Sequence, residues 1–477
     1  MVTNNKRAGH LIARLDRISV WSLPFLFIGI IGIGFLFTFY DIFDINVSFI
    51  QTCAQIVPSC SPHNASGFLG LPVLLNLVGY VIGTLILSPI SDRIGRRDML
   101  LVTMLITGLG SLATVFVHSY LGFNAARILT GVGIGADLAV VNTYINEVAP
   151  SRDRVKYTSL IFLFSALGAF VGIWLGLILT TPATPFPLGL PFAVAGEHFA
   201  IGWRVMYAVG GLLALIGILL RFQLPESPRW LVANNRLDEA EQVVQDMEER
   251  AQRHGTLAPV TEPVAVALAS LKRKPLAYSH ILLDPKYLQR TLLMAAVWFI
   301  GYITVYSYAA GFTSVLSSLN YPPPEAGLIA AFGTLGFIAC ALFMVRWGEI
   351  VERGSWILVA AVITLAGGAL IALAGHYFVL SVIGAIIVFF GFNMWVPVAY
   401  SWSTEQFPTR ARTTGFALVD GVGHLGGGVG LILIAPLLPR MSVLGAFTLI
   451  GGFLVVAGAL AQLGVRTRAR VLDEVSP

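Results

Sequence analysis

The chain has 477 residues, of which 56% are hydrophobic and only 12% charged, and its mean hydropathy is +0.80. Soluble domains carry about 25% charged residues, so an ordinary soluble fold is excluded. The net charge of +5 and pI near 9.1 do not point to nucleic acid, because the basic residues follow a pattern that membrane insertion explains.

The first residues, "MVTNNKRAGHLIARLDRIS", are polar and basic, and the apolar run after them is too long for the core of a cleavable signal peptide. Twelve apolar runs follow, each long enough to cross a bilayer. They fall at about 23–50, 67–90, 99–117, 121–146, 157–180, 201–222, 291–316, 325–346, 355–375, 378–403, 413–437 and 441–465, and are numbered spans 1 to 12 in that order. With the amino terminus in the cytoplasm, only Arg127, Arg204 and Arg440 among the 30 Lys and Arg lie at or near the outer side. That bias predicts a multi-pass protein of the cell membrane with both termini cytoplasmic.

Span 1 contains "FTFYDIFDINVSF", with Asp41 and Asp44 three residues apart on one helix face. A carboxylate at the centre of a membrane helix costs about 2.5–3.5 kcal/mol on insertion scales. Burial and mutual repulsion favour a proton held on such a pair and released when water arrives. Beyond span 1, Cys53 and Cys60 can form a disulfide or stay as two thiols, and Asn64 opens an Asn-x-Ser sequon. Span 4 carries Asp137 after "GVGIG". Arg127, ten residues back, is too far along one straight helix to pair with it, so a basic partner must come from another span.

Residues 223–290 form the only long polar stretch. Leu237, Ala240, Val243, Val244 and Met247 have helical spacing there, which predicts one or two amphipathic helices on the cytoplasmic surface. The chain thus divides into an amino-terminal six-helix bundle (1–222), a cytoplasmic linker (223–290) and a carboxy-terminal six-helix bundle (291–477). In the second bundle, Trp298, Tyr302 and Tyr306 recur every four residues along span 7, and Cys340 fits a packing role in span 8. Asn393, Trp395 and Tyr400 surround Pro397, which can bend span 10. Amphipathic rings and amides of this kind suit a solute pocket. Asp420 and His424 face one way in span 11, where they can relay protons, or His424 can bond a backbone carbonyl. The glycines of "GVGHLG" at 421–426 mimic a dinucleotide loop, but no strand precedes them.

The halves echo each other. "EVAPSRDR" after span 4 has Glu147, Pro150 and Arg154; "EQFPTRAR" after span 10 has Glu405, Pro408 and Arg412 at the same spacing. "DRIGRR" (92–97) after span 2 pairs more weakly with "ERG" (352–354) after span 8. The expected fold is an all-α membrane protein, with twelve transmembrane helices in two pseudo-symmetric six-helix bundles. Such repeats suit rocking of the halves about a midplane site.

These motifs resemble the major facilitator superfamily. "SPISDRIGRR" is similar to its loop 2–3 motif at Asp92, Arg93, Gly95, Arg96 and Arg97, with Ser88 in place of the first glycine. Leu129, Gly131, Val132, Gly135, Tyr144, Glu147, Arg154 and "PESPRWL" (225–231) resemble the sugar-porter signatures. Span 7 lacks the glutamine pair of sugar carriers, and the proline motif of drug–proton antiporters is missing from span 5. Tyr400, Glu405, Pro408, Thr409, Arg412 and Gly415 resemble the span 10 run of phosphate and organic-ion carriers, and "YDIFD" resembles the span 1 element of proton-linked phosphate and aromatic-acid symporters.

The resemblance implies a monomeric secondary transporter without cofactor or metal, moving a small polar solute, an anion or carboxylate, together with protons. A sugar, polyol or organic-cation carrier, or a uniporter, is the alternative. Asp41, Asp44, Asp137, Asp420 and His424 are the candidates for proton coupling or substrate contact. Trp298, Tyr302, Tyr306, Asn393, Trp395 and Tyr400 are candidates for the substrate cavity. In the family, residues matching Asp92, Arg93, Arg96, Arg97, Glu147, Arg154, Glu405 and Arg412 latch the outward-open state. An enzyme or an ATP-driven pump is not expected, since the chain has no Gly-Lys dipeptide for a P-loop and no His-Glu zinc motif.

Overall fold

The computed structural model describes residues 2–18, 22–148, 154–253, 255, 257, 259–260, 278–348, 350–407 and 412–468. Among them, twelve helices are long and apolar enough to cross a membrane: Leu26–Phe43, Ala65–Ile94, Arg96–Val115, Tyr120–Ile145, Leu160–Thr180, Gly202–Arg221, Pro285–Ala309, Pro323–Trp347, Ser355–Ala374, Phe378–Glu405, Gly415–Ile434 and Val443–Ala461. They correspond one to one with spans 1 to 12.

Three spans differ from the unbroken rods that hydropathy predicts. Span 1 turns at Asp44 and resumes as Ile45–Ile56. Span 7 stops at Ala309 and resumes as Phe312–Ser318. Span 10 stops at Phe392 and resumes at Val396, with Pro397 in the first turn of the new helix, where its missing N–H costs nothing. Breaks of this kind free backbone groups that only protein or trapped water can satisfy at membrane depth.

The packing repeats with an offset of six. Span 1 packs on span 5 as span 7 packs on span 11; the pairs 2–4, 3–4 and 3–6 recur as 8–10, 9–10 and 9–12. The two bundles meet along spans 2 and 11 and along spans 5 and 8. Glycine sets the closeness of spans 2 and 4. A β-carbon on Gly131 would lie 1.8 Å from the Asn76 carbonyl oxygen, and one on Gly135 would lie 2.1 Å from that of Tyr80. The Asn76 amide then donates to the Arg127 carbonyl at 2.9 Å, fixing the depth of Arg127.

Cys53 and Cys60 form a disulfide at one end of the bundle. At the other end, the linker folds as Pro228–Ala233, Leu237–Gln252 and Tyr278–Leu283. A helix not anticipated from the sequence, Val2–Asp16, docks on Leu237–Gln252. Ala8, Leu11, Ile12 and Leu15 are buried along one face. Arg14 and Arg17 each reach Glu248 at 2.6 Å, and Arg7 reaches Asp238 at 2.7 Å. Burial pushes the Glu248 carboxyl up, but hydrogen bonds from Arg14 and Arg17 outweigh it and hold the group below its ordinary value. A depressed carboxyl contributes stability that is full above its unfolded pKa and is lost as pH falls through the folded value. The docked helix should therefore loosen below about pH 4, the ordinary glutamate range. The protection of the amides of residues 2–16, relative to the unstructured exchange rate at the same pH, should fall there, and Glu248→Gln should show the low protection already at neutral pH.

Candidate functional site

Asp41 and Asp44 are both fully buried. Their surroundings differ. Arg127 donates to the Asp41 carboxylate and to its backbone carbonyl, each at 3.1 Å, and the Ser111 hydroxyl donates to the carboxylate at 2.7 Å. Arg127 also lies over the Tyr207 ring, 5.7 Å from its centre. Thus spans 3, 4 and 6 converge on span 1. Both Asp44 carboxyl oxygens are buried without a hydrogen-bond partner, as is the Tyr207 hydroxyl. Arg127, placed by the sequence at or near the outer side, is 2% exposed, as a buried carboxylate needs a buried partner.

Asp137 has a separate set of partners. Its carboxylate accepts two bonds from Arg221 of span 6, at 2.5 and 3.0 Å, and one from the Thr103 hydroxyl at 2.7 Å. The basic partner does come from another span. Gly34 makes room for it, since a β-carbon there would meet the guanidinium at 2.0 Å.

The aromatic candidates come together. Trp298 lies 5.0 Å from Tyr302, 5.0 Å from Trp395 and 5.4 Å from Tyr400 between ring centres, and Tyr302 lies 5.6 Å from Tyr306. His424 joins them, 4.2 Å from Tyr302. Two residues not singled out from the sequence complete the group. Phe162 of span 5 meets Tyr400 edge to face. Tyr80 of span 2 stacks on His424 at 3.9 Å and donates to Asp420 at 2.7 Å, across the boundary between bundles. His424 Nδ1 sits 2.8 Å from the Asp420 carbonyl, the backbone bond, and 3.3 Å from a carboxylate oxygen that has no hydrogen-bond partner. Asn393 sits at the break in span 10, where it caps Phe378–Phe392.

The charged motifs at the linker end form pairs within each bundle. Arg96 bridges Asp92 at 2.7 Å and Glu147 at 3.1 Å, while Arg97 donates to the Phe222 carbonyl rather than to Asp92. Arg93 is exposed. Glu405 pairs with Arg353 at 3.6 Å, the counterpart of Arg96–Glu147 in the other bundle. Both pairs join residues of one bundle. The side chains of Arg154 and Arg412 lie outside the described residues. Glu226 of "PESPRWL" accepts from the Arg96 and Arg97 backbone amides, and burial holds its carboxyl above the ordinary value despite them.

A family model described as "Sugar (and other) transporter" matches residues 26–476. The niacin transporter NiaP of Acinetobacter baylyi is 25% identical over 474 residues, covering 98% of this chain and 99% of that protein. The 4-hydroxybenzoate transporter PcaK of Pseudomonas aeruginosa is 27% identical, covering 78% of each. Among solved structures, the proton:xylose symporter XylE bound to 6-bromo-6-deoxy-D-glucose has a TM-score of 0.71 at 19% identity, covering 94% of this chain and 97% of that one. That likeness shows the fold: two six-helix bundles of the major facilitator type.

Removing one member of a buried pair strands the other charge at a cost of about 3–5 kcal/mol. Arg127→Leu should therefore lower the melting temperature of the purified protein sharply. Adding Asp41→Asn to Arg127→Leu should recover most of the loss.

Proposed function

The chain belongs to the sugar (and other) transporter family, and we propose that within it the protein is a proton-coupled symporter of small aromatic carboxylates. It is a multi-pass membrane transporter of the major facilitator type and not an enzyme. In our reading it is a monomer of the cell membrane; the distribution of Lys and Arg supports termini and linker in the cytoplasm. It works by alternating access, the bundles rocking along spans 2 and 11 and spans 5 and 8.

One observation carries the proton coupling. Arg127 compensates the charge of Asp41, and Asp44 is left buried with no donor for either oxygen. An ionised carboxylate there would cost far more than a neutral acid, so Asp44 holds a proton while buried and releases it when one face of the carrier opens to water. Asp41 stays ionised as the fixed partner of Arg127. A monoanion moving with one proton crosses without net charge.

The substrate class rests on the aromatic group. Trp298, Tyr302, Tyr306, Trp395 and Tyr400 offer ring faces for stacking a flat solute. The Trp298 indole is already bonded to Ser403 and that of Trp395 to the Phe392 carbonyl, so these two offer faces rather than donors. His424, when protonated, supplies a cation for a carboxylate. NiaP and PcaK carry aromatic acids by name. An organic-cation carrier has one observation in its favour: the Asp420 carboxylate set among rings, an arrangement that attracts cations. We assign Asp137 a structural role, because Arg221 and Thr103 occupy both its oxygens.

Purified protein in proteoliposomes tests this. A gradient of about one pH unit, acid outside, supports about tenfold accumulation for one proton per substrate, since about 1.4 kcal/mol is a factor of ten. Labelled nicotinate or 4-hydroxybenzoate should accumulate to that order. Asp44→Asn should keep exchange across the membrane and lose accumulation. Equal accumulation by Asp44→Asn would overturn the role given to Asp44.

A further inference from the structure

Two residues beyond Asp44 lies Asn46, fully buried. Its amide nitrogen donates to the carbonyls of Tyr308, at 2.9 Å, and Ala309, at 2.8 Å. Its amide oxygen accepts from the Thr313 backbone N–H at 3.2 Å and from the Thr313 hydroxyl at 2.7 Å. A primary amide has two donors and two lone pairs, so Asn46 is saturated. All four bonds go to the opposite bundle, and they go to the break in span 7. Tyr308 and Ala309 end one helix, where carbonyls lack helical donors, and Thr313 is in the first turn of the next, where N–H groups lack acceptors. A single side chain therefore satisfies backbone groups on both sides of the break. Aspartate cannot donate those bonds, and leucine can make none of them.

A smaller contact lies nearby. The hydroxyls of Ser66 and Ser318, again one from each bundle, are 2.9 Å apart. Both contacts lie on the disulfide side, remote from the linker. Each is worth little in water, but buried polar groups left unpaired are costly, so parting the bundles here requires water to replace the bonds.

We propose that Asn46 is the latch that holds the outer end of the transporter shut, and that its release from span 7 is an obligatory step in opening outward. The turn at Asp44 joins the latch to the proton site within one segment: the Ser48 hydroxyl donates to the Asp44 carbonyl at 2.7 Å across that turn. Opening at Asn46 admits water next to Asp44, and so gates its exchange of protons with the outside. This inference rests on alternating access with the linker end inside.

The test uses the full chain in right-side-out vesicles. Ser318→Cys places a thiol in the buried seam between the bundles, on the outer side of the latch, and a membrane-impermeant maleimide reports its access from outside as the seam parts; Cys340 is buried and Cys53 and Cys60 are disulfide-bonded. Adding Asn46→Ala should speed labelling about tenfold or more, and adding Thr313→Val, which removes one of the four bonds, should speed it by a smaller factor. An unchanged rate in both variants, with normal melting and gel filtration, overturns the latch. If Asn46→Ala does not fold, the Thr313→Val rate decides. Alternating access is tested separately by the pair Ser66→Cys and Ser318→Cys. Oxidation should stop uptake and reduction restore it, against unsubstituted protein treated alike. Uptake that survives the cross-link overturns parting at this end, and with it the mechanism proposed above. A blocking cross-link with unchanged labelling in the Asn46→Ala and Thr313→Val variants sinks only the latch.

Discussion

The structure around span 1 depends on one imbalance of charge. Two carboxylates, Asp41 and Asp44, are buried with one guanidinium, and Arg127 spends its hydrogen bonds on Asp41. Low-polarity surroundings make an uncompensated charge expensive, so the surplus must be removed by a proton or by water. In the mechanism we propose, loss of the proton from Asp44 is thereby tied to the opening of the bundle to water. The supports of Arg127 then acquire meaning: Asn76 holds its backbone, Tyr207 lies against its plane, and the close glycine contacts of spans 2 and 4 set its depth.

Several of the candidate groups gather at helix breaks. Spans 1, 7 and 10 each interrupt, and each carries candidates within a few residues of the interruption: Asp41 and Asp44, Tyr306, and Trp395 with Tyr400. A break frees backbone groups and allows local movement without unfolding the span. The two bundles use this differently. The first gathers charge around Asp41; the second gathers rings around Trp298, and Tyr80 on Asp420 and His424 and Phe162 on Tyr400 tie those rings to the first. Movement between bundles along that boundary would alter the aromatic group directly.

The spans were legible because a run of about 20 apolar residues has few other uses. The internal repeat was legible from Glu147 and Glu405 with their matched flanks. The partners of the acids were not. Arg127 pairs with Asp41 from 86 residues away and Arg221 with Asp137 from 84 away, and helical spacing carries no information about contacts between spans. A signal did exist: an arginine inside an otherwise apolar run is itself costly and needs a carboxylate, but the sequence weighs Arg127 only against Asp137 of its own helix. The face of Ala8, Leu11, Ile12 and Leu15 likewise marked a helix in a segment read only as polar. Asn46 gave no cue, because its role lies in the backbone it meets.

Infrared spectroscopy of the purified protein at neutral pH addresses the division of labour between the two aspartates most directly. The account predicts a carbonyl band from a protonated carboxylic acid that disappears in Asp44→Asn and persists in Asp41→Asn. A band that survives in Asp44→Asn and vanishes in Asp41→Asn would place the proton on the other carboxyl and contradict the account.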